Sequence, residues 1–240
     1  MAMRVNKNSL RYLPVILLLE SLTSVMTVFV IIITALLEPV VGNLSGNMIL
    51  ILTGVVYFAI WLLGSACVYG IMDLSRFFKF SWFLHITWLI LKTVVLVVDS
   101  ISMFMEQVIN TETANAFAVV SEVLSAVHQI AAMAAIAFAM MGLFEVLKKK
   151  KEYALSMGCR KLVYFYMIMG ILMAMTDIVD LLLGSLIPGF GSSFSIGYLP
   201  VVIIYAIAWI ALLTAGVLTF IIARRSCSRI YFMLQGLQEI

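Results

Sequence analysis

The sequence predicts an all-α, polytopic membrane protein: six transmembrane helices as three antiparallel hairpins, with both termini cytoplasmic. Three observations lead there. Of 240 residues, 64% are hydrophobic and 11% charged, whereas soluble domains are roughly 45–50% apolar and ~25% charged. Apolar runs of about 18 residues or more, the length that crosses ~30 Å of hydrocarbon at ~1.5 Å per residue, recur along the whole chain. Lys and Arg fall in every second connection, as cytoplasmic loops require.

The first span, 12–37, follows Arg4, Lys7 and Arg11. Its apolar run exceeds the about 7–15 residues of a secretion-signal core, so it is expected to be a retained helix. Pro14 is expected at the start of that helix, where a missing amide hydrogen costs little. The second span, 48–72, leads to Arg76 and Lys79, and the third, 82–105, follows them. The fourth, 117–147, has Ala131, Ala135 and Ala139 at four-residue spacing, which lets helix backbones approach closely. Its outer extension, 114–124, is more polar. Lys148 to Lys151, Arg160 and Lys161 join it to the fifth span, 161–186. The Gly- and Ser-rich stretch 184–197, with Pro188, reads as an external turn, with a re-entrant loop lining a cavity as the alternative. The sixth span, 198–223, has Pro200 near its start and is followed by Arg224, Arg225 and Arg229. Connections 38–47, 106–116 and 187–197 hold no Lys or Arg.

Short connections leave room for one transmembrane domain over 1–240 and make consecutive helices antiparallel neighbours. Each hairpin opens on a helix with a buried acid and closes on one rich in small residues and ending in basic ones. That suggests a threefold repeat, and an inverted three-plus-three arrangement is equally permitted. The charge pattern points to the cytoplasmic membrane of a prokaryote. The net charge of +3 reflects topology and gives no nucleic-acid-binding face. Cys67, Cys159 and Cys227 form no disulfide pattern and are expected as reduced thiols.

Function is most legible in the third span. His85, Lys92, Asp99 and Glu106 recur every seven residues, about two helical turns, so they share one face. A charge inside a membrane span costs at least ~2.5–3.5 kcal/mol unless paired or solvated, so this stripe faces protein or water. Counting rise from the inner end puts Glu20 about 12 Å and Lys92 about 15 Å deep, which predicts a mid-membrane ion pair. Asp99 and Asp177 fall roughly 25 Å from the inner surface, with Asp180, His128 and Glu122 slightly further out, as a second, acidic cluster. His85, between Trp82 and Trp88, reads as an interfacial residue.

Glu20, Lys92, Asp99, Asp177, Asp180 and His128 are therefore the candidate pathway or coupling residues of a transporter or permease-like protein, proton- or cation-coupled. Buried carboxylates and a histidine exchange protons near neutral pH, and Lys92 would balance Glu20 in one state and Asp99 in another. A non-transporting membrane subunit, an assembly or immunity factor, is the alternative; its buried charges would meet a partner helix. A third reading is an intramembrane metal enzyme using His128 and Asp177 with Asp180 or Asp99. Asp177 and Asp180 have the spacing of metal-binding carboxylate pairs in membrane lipid transferases, but Leu181 to Gly184 follow in place of the Gly, Ala-Arg and Asp residues that chemistry needs. No phosphate loop or dinucleotide fingerprint occurs, so an ATP-driven activity would need an ATPase on another chain. The sequence assigns no cofactor. The expected partner is the lipid bilayer, and a second copy or a partner membrane subunit stays open.

Overall fold

The computed structural model describes residues 5–23, 43–108, 111–186 and 199–236. Within those ranges it leaves out the side chains at 43–51, 99–100, 102–108, 111–118, 121–122, 177, 179–186, 199–202, 204–205 and 236. Among the described residues the regular secondary structure is all helix. Helix α1 covers residues 7–23, α2 Asn43–Tyr69, α3 Arg76–Val108, α4 Thr111–Lys149, α5 Tyr153–Leu186 and α6 Leu199–Gly236. A single 3-10 turn, Met72–Leu74, links α2 to α3.

The helices start earlier, or end later, at their basic ends than hydropathy alone suggests, because polar residues cap them there. Asn6 Oδ1 accepts the amide hydrogen of Asn8 at 3.0 Å, an N-cap for α1. Pro14 consequently sits in the second turn of α1 and not at its start, and it removes the bond that would run to the Leu10 carbonyl. Ser75 caps α3 in the same way, its Oγ accepting the Phe77 amide at 3.2 Å. The α4–α5 turn closes through Lys151 in the left-handed region (φ 62°), with the Glu152 amide bonded to Leu147 O at 3.0 Å.

Those basic ends are tied together. The Asn6 amide donates to Gly70 O at 2.8 Å, joining the start of α1 to the end of α2. Ser75 donates to Glu145 Oε2, joining the start of α3 to the end of α4, and Glu145 also pairs with Lys149 at 2.9 Å. Arg229 meets Glu152 at 2.7 Å, joining the end of α6 to the α4–α5 turn.

Helix α4 packs as extensively on α5 as on α3, so the expected boundary between the second and third hairpins is no boundary in packing. The alanine row explains why: Ala131, Ala132, Ala135 and Ala139 are buried, and small side chains bring neighbouring backbones close. Phe78 of α3 lies flat on Gly142 of α4, where a Cβ would come within 2.8 Å of three ring carbons. Helix α1 is the other central element, and its Leu10, Leu13, Leu17, Glu20 and Ser21 are all buried. Five helices, α2 to α6, are long and apolar enough to cross a membrane, and their outward faces carry exposed Val, Ile, Leu and Phe. Such a surface is unstable in water over so wide an area. The chain is an integral membrane protein.

Candidate functional site: a buried Glu–His pair

The site forms where α1, α2 and α3 meet. Glu20 of α1 and His85 of α3 are both wholly buried, with Oε1 and Nε2 3.0 Å apart. On the other side of the ring, Nδ1 lies 2.7 Å from the Ser81 carbonyl. A carbonyl only accepts, so Nδ1 carries a hydrogen and donates it. The Nε2–Oε1 contact then holds a single proton. With the proton on nitrogen the pair is imidazolium and carboxylate; with it on oxygen it is imidazole and carboxylic acid. Its net charge is zero in both, which makes it tolerable in a membrane core.

Helix α2 makes room for the carboxyl. At Gly64 a Cβ would stand 1.7 Å from Glu20 Oε1 and 3.2 Å from His85 Cδ2, so only glycine admits the pair. Trp61, one turn earlier on α2, covers the imidazole with ring centroids 5.2 Å apart. Trp61 also donates to Thr23 Oγ1 at 3.4 Å, and Thr23 donates to the Glu20 carbonyl at 2.7 Å. The second carboxyl oxygen, Oε2, is buried and has no hydrogen-bond partner among the described residues.

The rings continue beyond the pair. Trp61 stacks on Trp88 at 4.4 Å, and Trp88 meets His128 of α4 at 4.6 Å. A column of four rings, His85, Trp61, Trp88 and His128, thus runs from the Glu20 level toward Lys92, whose charge acts on His128. His128 Nε2 is buried without a partner among the described residues.

A second polar chain anchors α1 from the opposite side. Ser21 donates to the Leu17 carbonyl at 2.7 Å. Its oxygen must therefore accept from the Tyr166 hydroxyl at 2.7 Å, and Tyr166 in turn accepts from Thr219 at 2.9 Å. The three hydroxyls form a directed chain joining α6, α5 and α1, all of them buried.

The structure corrects the expected Glu20–Lys92 pair: Glu20 meets His85 instead. His85 sits nine residues inside α3, about 13 Å along its axis, with Lys92 a further two turns away, and Gly64 of α2 leaves the space in which the Glu20 carboxyl meets the imidazole. His85 is accordingly a core residue and not an interfacial one. Sequence reasoning also missed Gly64, Trp61 and the Ser21–Tyr166–Thr219 chain. His85 was visible as the first member of the seven-residue stripe; the others carried no signal, since Gly, Trp and hydroxyl residues are common in membrane helices. The side chains of Asp99, Asp177 and Asp180 lie outside the described residues, as does the acidic cluster expected around them. Among the described residues no three His, Cys, Asp or Glu side chains gather as metal ligands. All three cysteines are free thiols.

Fold and site together define an integral membrane protein with an ionisable pair sealed in its helical core. Compared with protein-family models, curated proteins and solved structures, the chain matches none.

Proposed function

We propose that the chain is a proton-coupled, permease-like membrane protein in which Glu20 and His85 form the protonation site. One observation carries the reading: a fully buried carboxyl–imidazole pair that shares a single proton in a chain that spans the membrane. Adding a second proton, or removing the one present, leaves a net charge in a medium that does not solvate it. The pair then has to open, with the Glu20 carboxyl turning toward water or another partner. A change in proton occupancy thereby drives a change in packing at the junction of α1, α2 and α3, which is what coupling requires.

The proposed path continues along α3 from His85 to Lys92 and Asp99, with His128 beside Lys92 and with Asp177 and Asp180 supplying carboxyls from α5. Both termini lie in the cytoplasm in this reading, since the basic ends of the helices face that side, and the membrane is the plasma membrane of a prokaryote.

The test is proton and monovalent-cation flux into liposomes holding the purified chain, under an imposed pH gradient. The wild type is expected to conduct, and Glu20→Gln and Asp99→Asn each to abolish flux while folding is retained. Wild-type flux in both variants would refute the assignment.

A further inference from the structure

The Glu20–His85 pair leaves one buried atom unused. Glu20 Oε2 is enclosed and has no hydrogen-bond partner among the described residues. When the shared proton leaves to water, the Ser81 carbonyl keeps the remaining hydrogen on His85 Nδ1, so Nε2 turns a lone pair on Glu20 Oε1 at 3.0 Å. Two acceptors at that distance repel. The carboxylate is then a buried charge that needs a new donor.

Most donors nearby are already spent. Ser81 donates to the Ala135 carbonyl at 2.7 Å, Thr23 to the Glu20 carbonyl at 2.7 Å, and the Trp61 ring to Thr23 at 3.4 Å. Cys67 of α2 lies within reach of the Glu20 charge, but a thiol is a weak donor. Tyr166 of α5 is within reach of the same charge. Its hydroxyl already touches Ser21, the chain neighbour of Glu20, at 2.7 Å. Ser21 keeps its own bond to the Leu17 carbonyl, so redirecting the Tyr166 hydrogen strands no buried donor. Thr219 meanwhile goes on donating to the phenol oxygen at 2.9 Å, which makes the phenol a better donor in turn.

We infer that Tyr166 is the alternate partner of Glu20: when the pair gives up its shared proton, the Tyr166 hydroxyl turns its hydrogen from Ser21 to the Glu20 carboxylate. That hydrogen stays on the phenol throughout, and only its acceptor changes. Helix α1 thereby lets go of α3 and takes a firmer hold of α5, a change in helix contacts driven by one proton. The inference rests on the Glu20–His85 protonation site proposed above and names the group that receives its carboxyl. Among the described residues the titratable groups that act on Glu20 or feel its charge are His85 of α3, Cys67 of α2 and Tyr166 of α5, while α1 and α6 contribute the neutral hydroxyls of Ser21 and Thr219.

The test is a pH titration of tryptophan fluorescence on the full chain in detergent micelles, since Trp61 covers the His85 ring. The wild type should show a step as the shared proton leaves. Glu20→Gln, which leaves His85 without its counter-ion, should carry that step to lower pH. Tyr166→Phe removes the waiting donor and should raise the step by about 1–2 pH units, or about tenfold to a hundredfold in proton affinity. Ser21→Ala removes the competing acceptor and should lower the step by about 0.5–1 pH unit. Both variants lose the same Ser21–Tyr166 bond, so a merely structural role would move the step the same way in both. Shifts in the same direction, or a step that Glu20→Gln moves and Tyr166→Phe does not, would overturn the inference and leave the protonation site standing. A step unmoved by Glu20→Gln, or no step in the wild type, would refute the site and this inference with it.

Discussion

Replacing Gly64 with alanine tests the Glu–His site through one added methyl group. Built on the observed backbone, the new Cβ falls 1.7 Å from Glu20 Oε1 and 2.9 Å from its Cδ. Both atoms belong to the end of a flexible side chain, so the clash is relieved by the carboxyl swinging away, and the 3.0 Å contact to His85 is lost. Separating the partners of a buried pair costs about 3–5 kcal/mol, and alanine returns ~1 kcal/mol of helix propensity over glycine. The net expectation is a loss of about 2–4 kcal/mol. Trp61 covers the His85 ring and Trp88 stacks on Trp61, so tryptophan fluorescence during unfolding in mixed micelles of increasing SDS fraction is the assay. A double-mutant cycle isolates the cause. In a Glu20→Ala background there is no carboxyl to displace, and Gly64→Ala should become neutral or stabilising by up to ~1 kcal/mol. Equal destabilisation by Gly64→Ala in both backgrounds would refute the reasoning, because the methyl group would then be clashing with something other than Glu20.

Other outcomes follow from the same geometry. Tyr166→Phe takes away the acceptor of the Thr219 hydroxyl and the donor to Ser21, whose bond to the Leu17 carbonyl stays, and should cost about 1–3 kcal/mol in the same unfolding assay. Gly142→Ala drives a methyl against the buried Phe78 ring and should cost about 1–3 kcal/mol, with Gly142→Ala/Phe78→Leu recovering most of it. Ser75→Ala removes the α3 cap and should lower stability by about 1 kcal/mol, measured the same way. Arg229→Gln breaks an ion pair whose Arg is mostly exposed, and a loss above about 1 kcal/mol would show that the α6 end is held more tightly than a surface pair allows.

The candidate site shows how much could be read in advance. His85, at the head of the seven-residue stripe, looks inward as expected of that face and is one half of the pair. Glu20 was legible as the other half because a carboxylate in an apolar run must have a partner. The choice between His85 and Lys92 as that partner was decided by packing, where Gly64 of α2 admits the carboxyl beside the imidazole. The hydropathy run starts near Trp82, but the Ser75 cap starts the helix at Arg76; α1 likewise begins at residue 7, ahead of its apolar run, so the two shifts nearly cancel and helix starts alone do not pick the partner. Hydropathy measures solubility in lipid and is blind to a helix that extends past the apolar run into polar surroundings. Pro14 was misplaced for the same reason, since Asn6 starts α1 ahead of the apolar run.

The all-helical, membrane-crossing character was settled by the sequence alone. Backbone groups in hydrocarbon must be satisfied within the segment, so long apolar runs leave helix as the outcome for a chain of this composition. Which helices touch was decided only by tertiary structure, because it depends on shape at single positions. Gly64 admits a carboxyl, Gly142 admits a phenyl ring, and the alanine row draws α4 between α3 and α5. Lipid is as apolar as leucine, so hydrophobicity contributes little to choosing among helix neighbours. That choice falls to close packing and to buried polar bonds such as Glu20–His85 and Ser21–Tyr166–Thr219, whose partners come from helices far apart in sequence.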